Sequence, residues 1–140
     1  MKVMVLVKAT KDSEAGVMPS HDLLEAMGKF NEELVNAGVM QAGEGLHPTA
    51  KGARVTFSGD ERRVTKGPFA LDNTVSGFWI WQVASMDEAI AWAKRCPNPG
   101  EGESELEIRP VFEAEDFGAE FTPELREQEE RLRERISKTA

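Results

Sequence analysis

Val75-Ser76-Gly77-Phe78-Trp79-Ile80-Trp81-Gln82-Val83 is the stretch whose pattern decides the fold. β-Branched and aromatic residues dominate it, which marks a strand. Alternation sends Phe78 and Ile80 to one side and Trp79, Trp81 and Val83 to the other. Both sides are apolar, so both need a cover. Helices are expected over one side, and a second sheet from a partner subunit over the other.

Working outward, Lys2 to Lys8 is Val-rich and reads as a buried strand, and Lys11 to Pro19 as a polar loop. Ser20 is a helix cap with Asp22 in the first turn, where the helix dipole favours an anion. Leu23, Met27, Phe30 and Leu34 recur at helical spacing, and Gly38 closes that helix. Val39 to Leu46 is a strand interrupted by Gly43 and Gly45, which points to a bulge or a close approach. Arg54 to Ser58 and Arg62 to Lys66 flank the Gly59-Asp60 turn as a hairpin. After the Trp strand, Ser85-Met86-Asp87-Glu88 has the form of a capping box. The helix it opens has Met86, Ala89, Ile90 and Ala93 as its expected buried stripe, and Pro97 and Pro99 stop it. Glu105 to Phe112 reads as the last strand, and Thr122-Pro123 opens a third, charged helix with a narrow apolar stripe. That stripe is expected to dock on the body or on another subunit.

The order is strand, helix, strand, hairpin, strand, helix, strand and an extra helix. This is a split β-α-β motif repeated, an α+β ferredoxin-like arrangement with the helices on one face of an antiparallel sheet. The other face is apolar and open. Pairing it with a twin gives a homodimer through the apolar sheet face, a dimeric α+β barrel. Residues 1–113 are expected to form the ferredoxin-like domain and 114–140 a C-terminal helical extension.

The 140 residues carry a net charge of −8, which argues against a nucleic-acid partner. No run of about 18 apolar residues is present, so no membrane span is expected, and the first eight residues read as a strand rather than a leader. The single Cys96 excludes an internal disulfide and fits a reducing, cytoplasmic setting. Cys96 precedes Pro97 at a helix C-terminus, where the dipole disfavours a thiolate. The two histidines, one cysteine and scattered carboxylates show no ligand spacing, so no metal site is expected. No phosphate loop or dinucleotide fingerprint is present, and no cofactor is expected.

Several ordered stretches carry a family resemblance. They include Ala42-Gly43-Glu44-Gly45-Leu46, Val64-Thr65-Lys66-Gly67-Pro68-Phe69-Ala70, Ser85-Met86-Asp87-Glu88-Ala89 and Glu107-Ile108-Arg109-Pro110-Val111. Together they resemble the YciI-related superfamily and, within it, the DGPF-domain proteins, over nearly the whole chain. The resemblance implies a ferredoxin-like fold that dimerises as an α+β barrel, and little chemistry. The chain departs from the pattern at the motif aspartate, which is Lys66 here. His21 lies more than a helical turn before the place of the family's histidine near Ala26, so no catalytic dyad carries over.

The candidate site residues are therefore read from their own chemistry. Lys66 is either an anion-binding group at a strand end or a surface lysine leaving the hairpin, with Asp72 as a candidate partner. Trp79 and Trp81 are either the wall of a cavity for a flat ligand or the core of a dimer interface. Glu44 and His47 are a candidate proton-moving pair if a glycine bulge brings them together, and otherwise a turn with a surface histidine. Three functions stand as expectations. The first is a homodimer that binds a small anionic or aromatic metabolite. The second is a cofactor-independent enzyme using acid–base chemistry, with Glu44 and His47 moving the proton and Lys66 stabilising developing negative charge. The third is a non-catalytic accessory protein.

Overall fold

The alternation of the Val-rich and Trp-rich stretches resolves into paired strands. The computed structural model describes residues 1–139. Its strands are β1 (Lys2–Lys8), β2 (Met40–Gly45), β3 (Ala53–Ser58), β4 (Glu61–Lys66), β5 (Val75–Gln82) and β6 (Leu106–Pro110). Its helices are α1 (Lys11–Glu14), α2 (His21–Asn36), α3 (Met86–Arg95) and α4 (Pro123–Thr139). The chain divides into two units, the first ending at Pro110 and the second starting at Val111.

In the first unit β2, β5, β1 and β6 form one sheet in that order, every neighbour antiparallel. With the hairpin set aside, this is the strand order of a ferredoxin-like fold. The hairpin strands β3 and β4 form a separate two-stranded ribbon inserted between β2 and β5. A single helical turn, α1, occupies what the sequence presents as loop. Thr10 caps it by accepting from the Ser13 N–H, and the Ser13 hydroxyl oxygen accepts from the Thr10 N–H in return.

The register sets the two faces of the sheet. Val3 lies opposite Trp81 and Val5 opposite Trp79, and all four are buried. They join Phe30 and Leu34 of α2 and Ala89 of α3 in one core. Phe30 is the centre of its aromatic part, with ring centroids 6.0 Å from Trp79, 6.3 Å from Trp81 and 6.5 Å from Trp92. Trp79 and Trp81 thus face the helices. The expectation that they wall a space between two sheets, or form the core of a dimer interface, is corrected. Alternation yields two faces without saying which one the helices take, and Gly43 is part of what decides it. A Cβ at Gly43 would sit 2.8 Å from Trp79 Cδ1, so its absence makes room for that indole. The Trp79 Nε1–H donates to Asn31 Oδ1 of α2 at 2.9 Å.

The other face presents Met4, Leu6, Phe78 and Ile80, all half-buried and none part of the helix-side core. By register it also carries Glu44, Glu107 and Arg109.

Ser20 caps α2 by accepting from the Leu23 N–H, and Gly38 closes it with φ +73°. The Val39 N–H returns to the Leu34 carbonyl, which completes a Schellman ending. Ser85 caps α3, but the Glu88 carboxylate reaches the Ala84 N–H rather than that of Ser85, so the expected box closes one residue early. Ile90, expected in the α3 stripe, is exposed, and Trp92 packs toward the core in its place.

In the second unit the Thr122 hydroxyl accepts from the Leu125 N–H at the start of α4, and Glu127–Arg131, Glu129–Arg133 and Glu134–Lys138 pair along the helix. These exposed pairs each contribute at most about 0.5 kcal/mol. The α4 stripe of Leu125, Leu132 and Ile136 is exposed. No helix among the described residues is long and apolar enough to cross a membrane.

Candidate ligand-binding clefts

The loop that joins the main sheet to the ribbon is organised by one side chain. A 3-10 turn, Thr49–Lys51, lies just beyond β2. The Thr49 hydroxyl donates to Glu14 Oε2 at 2.5 Å and accepts from the Phe69 N–H at 3.0 Å. The Thr49 N–H donates to Glu14 Oε1 at 3.1 Å. Thr49 therefore ties α1, the 3-10 turn and the Gly67-Pro68-Phe69 segment together. Gly67 seats its backbone so close to the Thr49 carbonyl that an added Cβ would lie 1.7 Å from that oxygen. The Gly67 N–H also donates to the Gly52 carbonyl at 3.0 Å, and the Gly67–Pro68 peptide is cis. The Lys66-Gly67-Pro68-Phe69 motif is thus a structural clasp at the base of the ribbon.

Beside this clasp lies a cleft of about 440 Å³. His47, Lys51, Arg54, Phe69, Asn73 and Thr74 are among the residues that line it. The Arg54 guanidinium sits 4.0 Å from the Phe69 ring centroid, a cation–π contact that orients the fork along the wall. Thr74 is buried, and its hydroxyl donates to the Ala70 carbonyl at 2.9 Å. The described lining contains a lysine, an arginine and a histidine but no carboxylate, although the chain as a whole is acidic.

A second cleft, of about 490 Å³, runs between the loop after β1 and the loop after α3. Its lining includes Asp12, Ser20, His47 and Glu101. His47 borders both spaces, exposed and with no hydrogen-bond partner among the described residues. A third cleft, of about 380 Å³, is lined by Met27, Asn31, Glu44, Phe78 and Trp79 among others.

The six residues singled out from sequence therefore scatter. Glu44 and Trp79 share the third cleft, while His47 lies in the first two. No hydrogen bond or ion pair joins Glu44 to His47. The bulge in β2 falls between Met40 and Ala42, upstream of both glycines, so it does not draw the two side chains together. Trp81 is 0% exposed and belongs to the core rather than to a ligand wall. Lys66 pairs with Ala53 at the ribbon base and lines none of these clefts. By register it faces the opposite side of the ribbon from Arg54, the cation that does reach the first cleft. Asp72 is exposed in the next turn of the chain and forms no ion pair with Lys66 among the described residues. Lys51, Arg54 and Phe69 are the cleft residues that sequence reading missed. The spacing Lys51-Gly52-Ala53-Arg54, two cations flanking a glycine at a strand start, was the available signal.

Cys96 is no alternative centre: burial pushes its thiol up to about 11, and Sγ donates to the Pro97 carbonyl at 3.2 Å. No group of three or more His, Cys, Asp or Glu side chains among the described residues is placed to hold a metal ion.

The sheet order, the clasp and the clefts sit within a region that a family model also recognises. The model of the YCII-related domain matches residues 1–115. This chain belongs to the YCII-related domain family. The match ends within the second unit, before α4 begins at Pro123. An uncharacterised protein of Rhizobium meliloti (strain 1021) is 31% identical to this YCII-related chain over 103 residues, 73% of this chain and 78% of that protein. Among solved structures, this chain is similar to the 5-chloro-2-hydroxyhydroquinone dehydrochlorinase TftG of Burkholderia phenoliruptrix AC1100, in complex with 2,5-dihydroxybenzoquinone. The identity is 15%, the TM-score 0.46, and the alignment covers 80% of this chain and 94% of that one. A likeness at that level says nothing about what this chain binds.

Proposed function

We propose that this YCII-related protein binds a small anionic metabolite with a flat or apolar body, in the cleft beside the ribbon clasp. The observation that carries this reading is the lining of that cleft, where Lys51, Arg54 and His47 occur with Phe69 and without a carboxylate. A cleft of about 440 Å³ suits a small ligand. Arg54 offers a bidentate fork to a carboxylate or phosphate, Lys51 a second charge, and Phe69 a face for the ligand body. This narrows the anionic or aromatic metabolite expected from sequence, with Lys51 and Arg54 in the role first given to Lys66.

The same reading includes a homodimer in a reducing, cytoplasmic setting. Met4, Leu6, Phe78 and Ile80 form an apolar centre with charges of both signs around it, the anatomy of an interface that a second copy complements by two-fold symmetry. A cofactor-independent acid–base enzyme is the second reading. It is favoured by His47, an unpartnered imidazole at the meeting of two clefts, rather than by a Glu44–His47 pair.

Isothermal titration calorimetry with hydroxybenzoates and phenyl phosphate tests the binding site. The native protein is expected to bind members of this panel. Arg54→Ala is expected to weaken binding by roughly tenfold or more, the scale of a charge-assisted hydrogen bond. Lys66→Ala is expected to leave it unchanged. Loss with Lys66→Ala and none with Arg54→Ala would move the site away from this cleft.

A further inference from the structure

The ribbon β3–β4 has no role in the ligand cleft beyond its base, yet it is the least covered element of the first unit. Every residue from Ala53 to Lys66 is exposed. An isolated two-stranded hairpin is marginal in water, and both of its strands are open edges. The clasp at Thr49 and Gly67 fixes its root, so the ribbon is anchored at one end and bare along its length. One of its faces carries Val55, Phe57 and Val64, with Phe57 71% and Val64 64% exposed. Arg62 lies over the Phe57 ring at 4.7 Å, and Lys66 extends the same face. Glu61 is engaged by Arg63 at 3.7 Å, which leaves Arg62 and Lys66 without a carboxylate partner among the described residues.

The second unit carries the complement. Phe112 and Phe117 stack at 5.1 Å, and Phe121 lies 5.2 Å from Phe117. Phe112 and Phe117 are both exposed. Between Phe112 and Phe121 stand Glu113, Glu115, Asp116 and Glu120, with no cation inside the segment; Arg126 engages Glu115 at 3.3 Å, which leaves Glu113, Asp116 and Glu120 without an ion-pair partner among the described residues. An apolar face edged by cations and an aromatic face edged by carboxylates match in both chemistry and sign. Every copy of the chain carries one of each, so two copies satisfy each other reciprocally.

We propose that the β3–β4 ribbon is a docking arm whose occupant is a second copy of this chain, seated on that copy's Phe112–Phe121 segment. The contact is separate from the ligand cleft and from the pairing of sheet faces.

Site-directed cross-linking on the full chain tests it, in a Cys96→Ala background. One batch carries Phe57→Cys and the other Phe117→Cys, so only a contact between copies joins the two positions. After mild oxidation of the mixture, a disulfide-linked pair is expected on a non-reducing gel, at several times the yield of either batch alone. Arg62→Glu with Lys66→Glu is expected to cut that yield about tenfold, and partner chains carrying Glu113→Arg with Glu120→Arg are expected to restore it. A mixed yield no higher than that of the separate batches would overturn the proposal. So would a chain carrying both cysteines that closes on itself and stays monomeric. Phe78→Glu, aimed at the sheet face, is expected to leave the cross-link in place. Its loss there would overturn the ribbon as an interface in its own right.

Discussion

β5 and the β3–β4 ribbon are built from the same alternating vocabulary and end in opposite environments. In β5, Trp79 and Trp81 lie under α2 and α3 and are buried, Trp81 completely. In the ribbon, Val55, Phe57 and Val64 recur on one face with the same period and remain exposed. The strands themselves do not differ in pattern; the elements they lead into do. β5 leads into the capped helix α3, which folds back over it. β3 leads only to β4 through the Gly59-Asp60 turn, and β4 leads into the clasp. A strand pattern specifies that a face wants cover. Whether the chain supplies that cover depends on the next element.

The sharpest way to break this contrast is at Trp81. Trp81→Ala empties the centre of the helix-side core and is expected to cost about 3–5 kcal/mol. Urea unfolding monitored by circular dichroism measures it. A loss below about 1 kcal/mol would mean that the indole is not a core group at all. At the root of the ribbon, Gly67→Ala places a Cβ against the Thr49 carbonyl. A loss of about 1–3 kcal/mol is expected from the overpacking, with faster hydrogen exchange at the Phe69 and Gly67 amides. Unchanged exchange there would show that the clasp does not hold the ribbon. Phe57→Ala, on the bare face, is expected to shift the stability of the first unit by no more than about 0.5 kcal/mol. A larger loss at protein concentrations where the chain is monomeric would mean that the ribbon is covered within its own chain.

Much of the fold was legible in the sequence because its signals are local. Ser20, Gly38 and Ser85 bound their helices where expected, and the alternation in β5 separated Phe78 and Ile80 from Trp79 and Trp81. The side the helices would take was not legible, because it depends on Gly43 standing across from Trp79 and on Phe30 reaching both indoles. The exchange of Ile90 for Trp92 in α3 has the same origin: helical spacing allows either residue, and Phe30 is there to receive the ring. The candidate site was less legible still. Thr49 brings together Glu14, thirty-five residues before it, and Phe69, twenty after it. No periodicity encodes such a junction, so the cleft residues Lys51 and Arg54 looked like ordinary charges at a strand start. Lys66 drew attention through its place beside Gly67-Pro68-Phe69, yet the register turns it away from the cleft.

The clustering of the aromatic core has a practical consequence. All three tryptophans of the chain gather around Phe30, Trp79 and Trp81 with centroids only 5.7 Å apart, and the chain has no tyrosine. Intrinsic fluorescence excited at the red edge therefore comes from one spot beneath the two helices. It tracks the integrity of that spot and reports nothing directly from the ribbon or the C-terminal unit, which carry only phenylalanine. A tryptophan placed at position 57 or 117, in a chain whose native indoles are buried or half-buried, would add a second signal, and a solvent-exposed emission would distinguish free ribbon from docked ribbon.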